Sequence, residues 1–146
     1  MENLIDEITV SYKTSCSSKV KISNSRDAEK YFRMMWNIDT IELFEEFKVI
    51  FLNNASEVLG IYNVSKGGIS STVVEIKHIL CIALKTNSTS IVLAHNHPSG
   101  NLKPSKNDTA LTERLQEACK ILDLILTDHV ILTAGCYYSF KDEGLI

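Results

Sequence analysis

Ser90-Ile91-Val92-Leu93-Ala94-His95-Asn96-His97-Pro98-Ser99-Gly100 is the stretch on which the reading of this chain turns. Ser90 to Ala94 is a short apolar run with two β-branched residues, the pattern of a buried strand. Pro98 and Gly100 end it and turn the chain. Side chains at i and i+2 of a strand point to one face, so His95 and His97 converge. Ser105 then opens an amphipathic helix with Leu111, Leu115, Ala118, Cys119 and Leu122 on one side. Asp108 falls in its first turn, where the connecting turn can bring its carboxylate back to the histidines. Strand, turn and helix in this order indicate the α/β class.

The pattern continues on both sides. Residues 45–53 read as a strand, Asn53-Asn54-Ala55-Ser56 as a turn, and Glu57 to Val64 as a second strand pairing back. Ser65-Lys66-Gly67-Gly68 reads as a flexible loop. A helix is expected from about Val73 to Lys85, with Ile76, Ile79, Leu80, Ala83 and Leu84 inward and His78 on its surface. Leu124 to Thr133 and Tyr137 to Phe140 complete the strands. Near the N-terminus, residues 7–22 alternate loosely through Ile8, Val10, Tyr12, Val20 and Ile22 and read as an edge strand or hairpin. Ser25 is expected to N-cap a helix whose Ala28, Tyr31, Phe32, Met35 and Trp36 form a core stripe. The order β-α-β-β-α-β-α-β-β predicts one α/β domain, a mixed sheet with flanking helices. Residues 1–41 supply a strand or hairpin and a helix to that compact unit, and 42–146 its main body. Edge strands at the termini make a homo-oligomer an expectation.

Composition narrows the function classes. The chain has 146 residues, 45% hydrophobic and 23% charged, enough for one core of its own. No apolar run approaches the ~20 residues that cross a bilayer, so no membrane partner is expected. Met1 to Glu7 is acidic and lacks a signal-like apolar region, which makes the cytoplasm the expected compartment. A formal charge of −3 and a pI of 5.8 give no basic footprint for nucleic acid, although Lys103, Lys106 and Arg114 could form a local patch. Cys16, Cys81, Cys119 and Cys136 are scattered without a Cys-X-X-Cys pair and read as free thiols.

Two His and one Asp give three protein ligands. Catalytic zinc keeps a fourth position for water, whereas structural zinc is closed by four ligands. Ser105-X-X-Asp108 is equally a capping box, which accounts for both residues with no metal. On that reading the Asp108 carboxylate is hard to share between the cap and a metal. The letters His-Asn-His do not make an HNH nuclease, whose motif is dispersed over a ββα unit. Metal-assisted hydrolysis also needs a general base. Glu45 and Glu46 are the candidates. Alternation places Glu45 with Phe47, Val49 and Phe51, and Glu46 with Lys48. A carboxylate ending an apolar stripe is the more unusual, which favours Glu45.

An upstream Glu, His-X-His-X10-Asp, and a Ser three residues before the Asp together resemble the JAMM motif of the JAB/MPN metalloprotease superfamily. His-Asn-His-Pro-Ser-Gly, the Ile91-Val92-Leu93-Ala94 strand before it and Leu126-Thr127-Asp128-His129-Val130 after it are similar to the RadC-like branch in particular. The resemblance spans roughly residues 42–146. It implies a JAB/MPN-like (cytidine-deaminase-like) architecture. It also implies one zinc ion held by His95, His97 and Asp108, with Glu45 as general base and Ser105 as oxyanion stabiliser. The implied substrate is a peptide or isopeptide bond. The branch carries a DNA-repair label, so a nucleic-acid binding or processing module is the alternative. Residues 1–40 lack the helix-hairpin-helix that larger RadC-like proteins carry. Asp128-His129 reads as a strand pair lining the site, with His129 a candidate to orient a ligand.

Overall fold

The computed structural model of the protein describes residues 5–15, 18–67 and 73–146. Its elements, in chain order, are α1 (Ser25–Met34), β1 (Glu46–Leu52), β2 (Val58–Lys66), α2 (Ile76–Lys85), β3 (Ser90–Asn96), α3 (Lys106–Ile121), β4 (Ile125–Leu132) and β5 (Tyr137–Ser139). The five strands form one mixed sheet in the order β2-β1-β3-β4-β5. β1 is antiparallel to β2 and to β3, β3 is parallel to β4 through the α3 crossover, and β5 returns antiparallel to β4.

Strand alternation divides the core into two layers. Val92 and Ala94 of β3 face α1, packing with Ala28, Phe32, Trp36, Ile50, Leu52, Val130 and Leu132. Ile91 and Leu93 face α2 and α3, packing with Phe47, Val49, Phe51, Ile79, Ala83, Leu115 and Cys119. β3 is buried at all seven positions, as a central strand covered on both faces must be. His95 continues the α2/α3 face and Asn96 the α1 face.

Several local readings are corrected. Among the described residues, 5–15 carry no strand. Ile8, Val10 and Tyr12 are exposed, and among the described residues of 7–22 the only β pairing is the bridge from Lys21 to Glu57. Alternation there has no ladder to join. The N-cap of α1 is Asn24, whose Oδ1 accepts from Asp27 N at 2.9 Å. Ser25 is the first helical residue, and its hydroxyl donates to Asp142. Ser65 and Lys66 belong to β2, with Lys66 opposite Glu46, while Gly68 lies outside the described residues. α2 begins at Ile76 because Glu75 stays extended, at φ −89° and ψ 97°, and two β-branched valines precede it. Leu84 faces outward. Of the cysteines described, Cys81 and Cys136 are exposed free thiols, and burial pushes the Cys119 thiol up to about 11.

Candidate metal centre

His95 sits near the C-terminal end of β3, buried, opposite Phe47 of β1 and Ile131 of β4. His97 follows the strand, its N–H donating to Leu132 O at 2.8 Å. A turn then reverses the chain, with Gly100 N donating to His97 O at 3.0 Å and Pro98 at its second position. Gly100 has φ +78°, the left-handed region that a side chain opposes. The chain returns at Ser105, whose hydroxyl accepts from Asp108 N at 3.1 Å while Ser105 N donates to Asp108 Oδ2 at 2.7 Å. This reciprocal cap fixes Asp108 at the start of α3.

The cap and the approach to both histidines coexist, contrary to the expectation that Asp108 is hard to share between a cap and a metal. Asp108 Oδ1 lies 3.3 Å from His95 Nε2, and Oδ2 lies 3.4 Å from His97 Nε2. The two Nε2 atoms are 2.9 Å apart. Two donors bound at 2.0–2.2 Å around a tetrahedral zinc stand about 3.3 Å apart, so the three groups are already near ligand spacing.

Proton positions follow from the hydrogen bonds that surround the pair. Thr112 Oγ1 donates to the carbonyl oxygen of Asp108 at 2.6 Å, which uses its one hydrogen. At the 2.6 Å contact with His129 Nδ1 the hydroxyl must therefore accept, so His129 carries its proton on Nδ1. Burial, with the neighbouring His95, holds the His129 pKa far below the ordinary imidazole value, so this ring is neutral and its Nε2 is a lone pair. That lone pair accepts from His95 Nδ1 at 2.8 Å. His97 Nδ1 donates to Asn101 O at 2.5 Å. In the neutral rings, His95 and His97 thus both present Nε2 lone pairs to one point. Lone pairs at that separation repel unless a cation lies between them.

The electrostatics agree. A hydrogen bond to Asp108 raises the His97 pKa. Burial opposes it, while the Asn101 carbonyl and the charges of Asp108 and Glu45 add to it. Burial works to raise the Asp108 carboxyl, but hydrogen bonds from His95, His97 and Ser105 hold it well below the usual range. In the metal-free protein a proton on His97, favoured by its raised pKa, can take the place of that cation. His95, His97 and Asp108 each offer one ligand atom, all within 4.8 Å of one another, and could hold a metal ion instead.

The centre opens on a cleft of about 650 Å³ lined by Glu45, Phe47, Val74, His95, His97, Ser105, Asp108 and Leu111 among others. Glu45 and Ser105 are therefore placed beside the three candidate ligands. Glu46 is not; it pairs with Lys48 Nζ at 2.7 Å on the α1 face. His129 lies beneath the centre, stacked on Phe140 at 4.7 Å. Asp128 points the other way, to Ser139 Oγ and the Lys141 backbone, so only one member of that strand pair belongs to the site. His78 is exposed on α2. Thr112 was missed by the sequence reading. Its signal, a Thr four residues after Asp108 on the helix face that meets the sheet, is plain only once β4 is in place.

A three-layer α/β domain with two imidazoles and a carboxylate at the end of its central strand defines a JAB-type domain. The family model described as "RadC-like JAB domain" matches residues 22–145, and the chain belongs to that family. It is 42% identical over 125 residues to a UPF0758 protein of Flavobacterium johnsoniae, covering 86% of this chain and 53% of the relative. It is 42% identical over 103 residues to one from Porphyromonas gingivalis, covering 70% and 45%. A third, from Clostridioides difficile, is 33% identical over 130 residues, covering 88% and 53%. The chain thus spans about half the length of the curated relatives it matches. The JAB superfamily includes metalloproteases. Among the described residues no helix is long and apolar enough to cross a membrane.

Proposed function

We propose that this domain is a zinc-dependent hydrolase of amide bonds, peptide or isopeptide, with the metal held by His95, His97 and Asp108. The observation that carries the reading is the enforced convergence of two imidazole lone pairs and a carboxylate in a cleft that also holds Glu45 and Ser105. Bound zinc supplies a Lewis acid and a water whose pKa falls to about 7.

The rest of the work belongs to the chain. Glu45 accepts the proton of the attacking water and returns it to the departing amine. Ser105 Oγ accepts from Asp108 N, which leaves its hydroxyl hydrogen to donate to the oxyanion of the tetrahedral intermediate. His129 and Thr112 keep His95 in the tautomer that binds metal, and the Asn101 carbonyl does the same for His97. The net charge of −3 lends no support to the nucleic-acid alternative.

The test combines metal analysis with hydrolysis. Freshly purified protein should hold about one zinc per chain, lost in His97→Ala. Hydrolysis of a panel of fluorogenic peptides and isopeptide-linked conjugates should disappear with a chelator and with Glu45→Gln. Stoichiometric zinc without cleavage of any panel member would refute the hydrolase reading.

A further inference from the structure

The ladder between β1 and β3 runs from Leu52 opposite Ser90 to Phe47 opposite His95, and there it stops. The next pair would set Glu46 against Asn96. Beyond His95, however, β3 stays with β4 and leaves β1: Asn96 is opposite Leu132, and His97 N donates to Leu132 O. The backbone groups at the entry to β1 would lose their partners at this point. They are met by one side chain. Asn96 Oδ1 accepts from Glu46 N at 2.7 Å, and Asn96 Nδ2 donates to both Ile41 O and Phe44 O at 2.7 Å. Asn96 is fully buried, and both its N–H groups are used.

These bonds bracket Glu45. The carbonyl before it and the amide after it are held by Asn96, and its own carbonyl accepts from Gly67 N at 2.8 Å. With the flanking peptide planes fixed, the direction of the Glu45 side chain is fixed as well. It leaves on the face opposite Asn96, toward the cleft of His95 and His97, while Glu46 leaves with Lys48 on the other. A primary amide is what the position requires, because it must accept from one peptide group and donate to two. Serine is too short with one hydrogen, and aspartate has no donor when ionised.

We propose that Asn96 is a positioning residue that sets the distance between Glu45 and the metal centre, its amide standing in for the strand pairing that β3 gives up on turning toward His97. The inference rests on the reading of Glu45 as the base of a zinc site. The residue between the two histidines is fixed by the same turn that fixes both ligands, so ligand and base positions are tied through one side chain.

The experiment uses Asn96→Ala and Asn96→Asp with zinc and cobalt(II) as probes. Three quantities are read: zinc affinity by competition with a chromophoric chelator, hydrogen exchange at the Glu46 amide, and paramagnetic relaxation of the Glu45 side-chain carbons in cobalt-loaded protein. The last falls as the sixth power of distance and reports where Glu45 sits. In Asn96→Ala, zinc affinity should fall by less than about tenfold, the lower end of what losing a ligand's own hydrogen-bond partner costs. The Glu46 amide should exchange about 100-fold faster through local opening, and the cobalt effect at Glu45 should drop several-fold. Asn96→Asp keeps the acceptor for Glu46 N and loses both donors, and is the variant to use if the alanine does not fold. It should show the same drop at Glu45 with the Glu46 amide still protected. A Glu45 signal of wild-type size in a folded variant overturns the proposal. So does a loss of zinc affinity well beyond tenfold, which would make Asn96 a support for the histidines instead. The parent reading fails separately, as wild-type protein that relaxes Glu45 through cobalt yet cleaves nothing.

Discussion

Thr112→Val removes one hydroxyl from a residue that touches no candidate ligand side chain, and should weaken zinc binding. Valine keeps the shape of threonine, so packing under α3 is preserved. What it loses is the acceptor for His129 Nδ1–H, 2.6 Å away in a fully buried ring. Two responses are open. If His129 keeps its tautomer, a buried N–H goes unpaired at a cost of about 1–3 kcal/mol to stability. If the proton moves to Nε2, it meets His95 Nδ1–H across a 2.8 Å contact. His95 must then carry its own proton on Nε2, the atom that faces Asp108. The first lowers the stability of the metal-free and metal-bound protein alike, and the second disfavours the metal-bound form. Loss of such an outer partner lowers affinity about 10–100-fold, or about 1.4–2.7 kcal/mol. The assay is chelator competition at fixed pH, with long-range nitrogen–proton NMR to read the tautomers of His95 and His129. Thr112→Ser restores the hydroxyl and should restore affinity. Wild-type zinc affinity and wild-type stability together in Thr112→Val, with His95 still protonated at Nδ1, would refute the hydrogen-bond assignment.

Ser105→Ala should separate two roles of one hydroxyl. Loss of the helix cap costs about 1 kcal/mol in chemical denaturation, while loss of the oxyanion donor lowers kcat about 100- to 1000-fold. Ser105→Thr should recover the stability. In metal-free protein the raised His97 pKa means that its pairing with Asp108 stabilises fully below about pH 6.5 and fades as pH rises through the raised value. The depressed Asp108 keeps its own contribution above about pH 4. The Tm advantage of wild type over Asp108→Asn should therefore narrow between roughly pH 6 and pH 9, at and above the ordinary imidazole range. The Tm gain on adding zinc should widen over the same range, because zinc displaces protons. Gly100→Ala finds open space for its Cβ but inherits φ +78°. It should cost about 1–2 kcal/mol in urea unfolding, with a smaller loss of zinc affinity as the Asn101 carbonyl shifts under His97.

The sequence carried most of the site because the three candidate ligands lie within one strand, one turn and the first turn of one helix. Strand period and a capping signal are local rules, and both hold here. Glu45 was reached by alternation along a strand in which Phe47, Val49 and Phe51 all face α2 and α3. His129 and Thr112 lie farther along the chain, and their meeting depends on the parallel register of β3 and β4. That register shifts between Ile91 and Val92, which spacing does not reveal. Asn96 could be assigned to the face opposite the histidines, but not to its partners near residue 41. The N-terminal misreading has the opposite cause. Ile8, Val10 and Tyr12 alternate well enough, yet a strand exists only where a neighbour supplies its hydrogen bonds.

The division of labour along the chain has a consequence for how the domain acquires chemistry. His95, His97 and Asp108 occupy one βα unit, and closing the loop between them needs little chain entropy. Glu45 arrives just ahead of β1, which joins β3 across an intervening strand and helix. A metal could therefore be captured by a partly folded chain and act as a seed around which β3 and α3 settle. Hydrolytic competence would come later, when β1 docks and Asn96 closes on residues 41–46. On the proposed function, zinc content would then report the first event and turnover the second, so a variant could be fully metallated and still lack Glu45 in place.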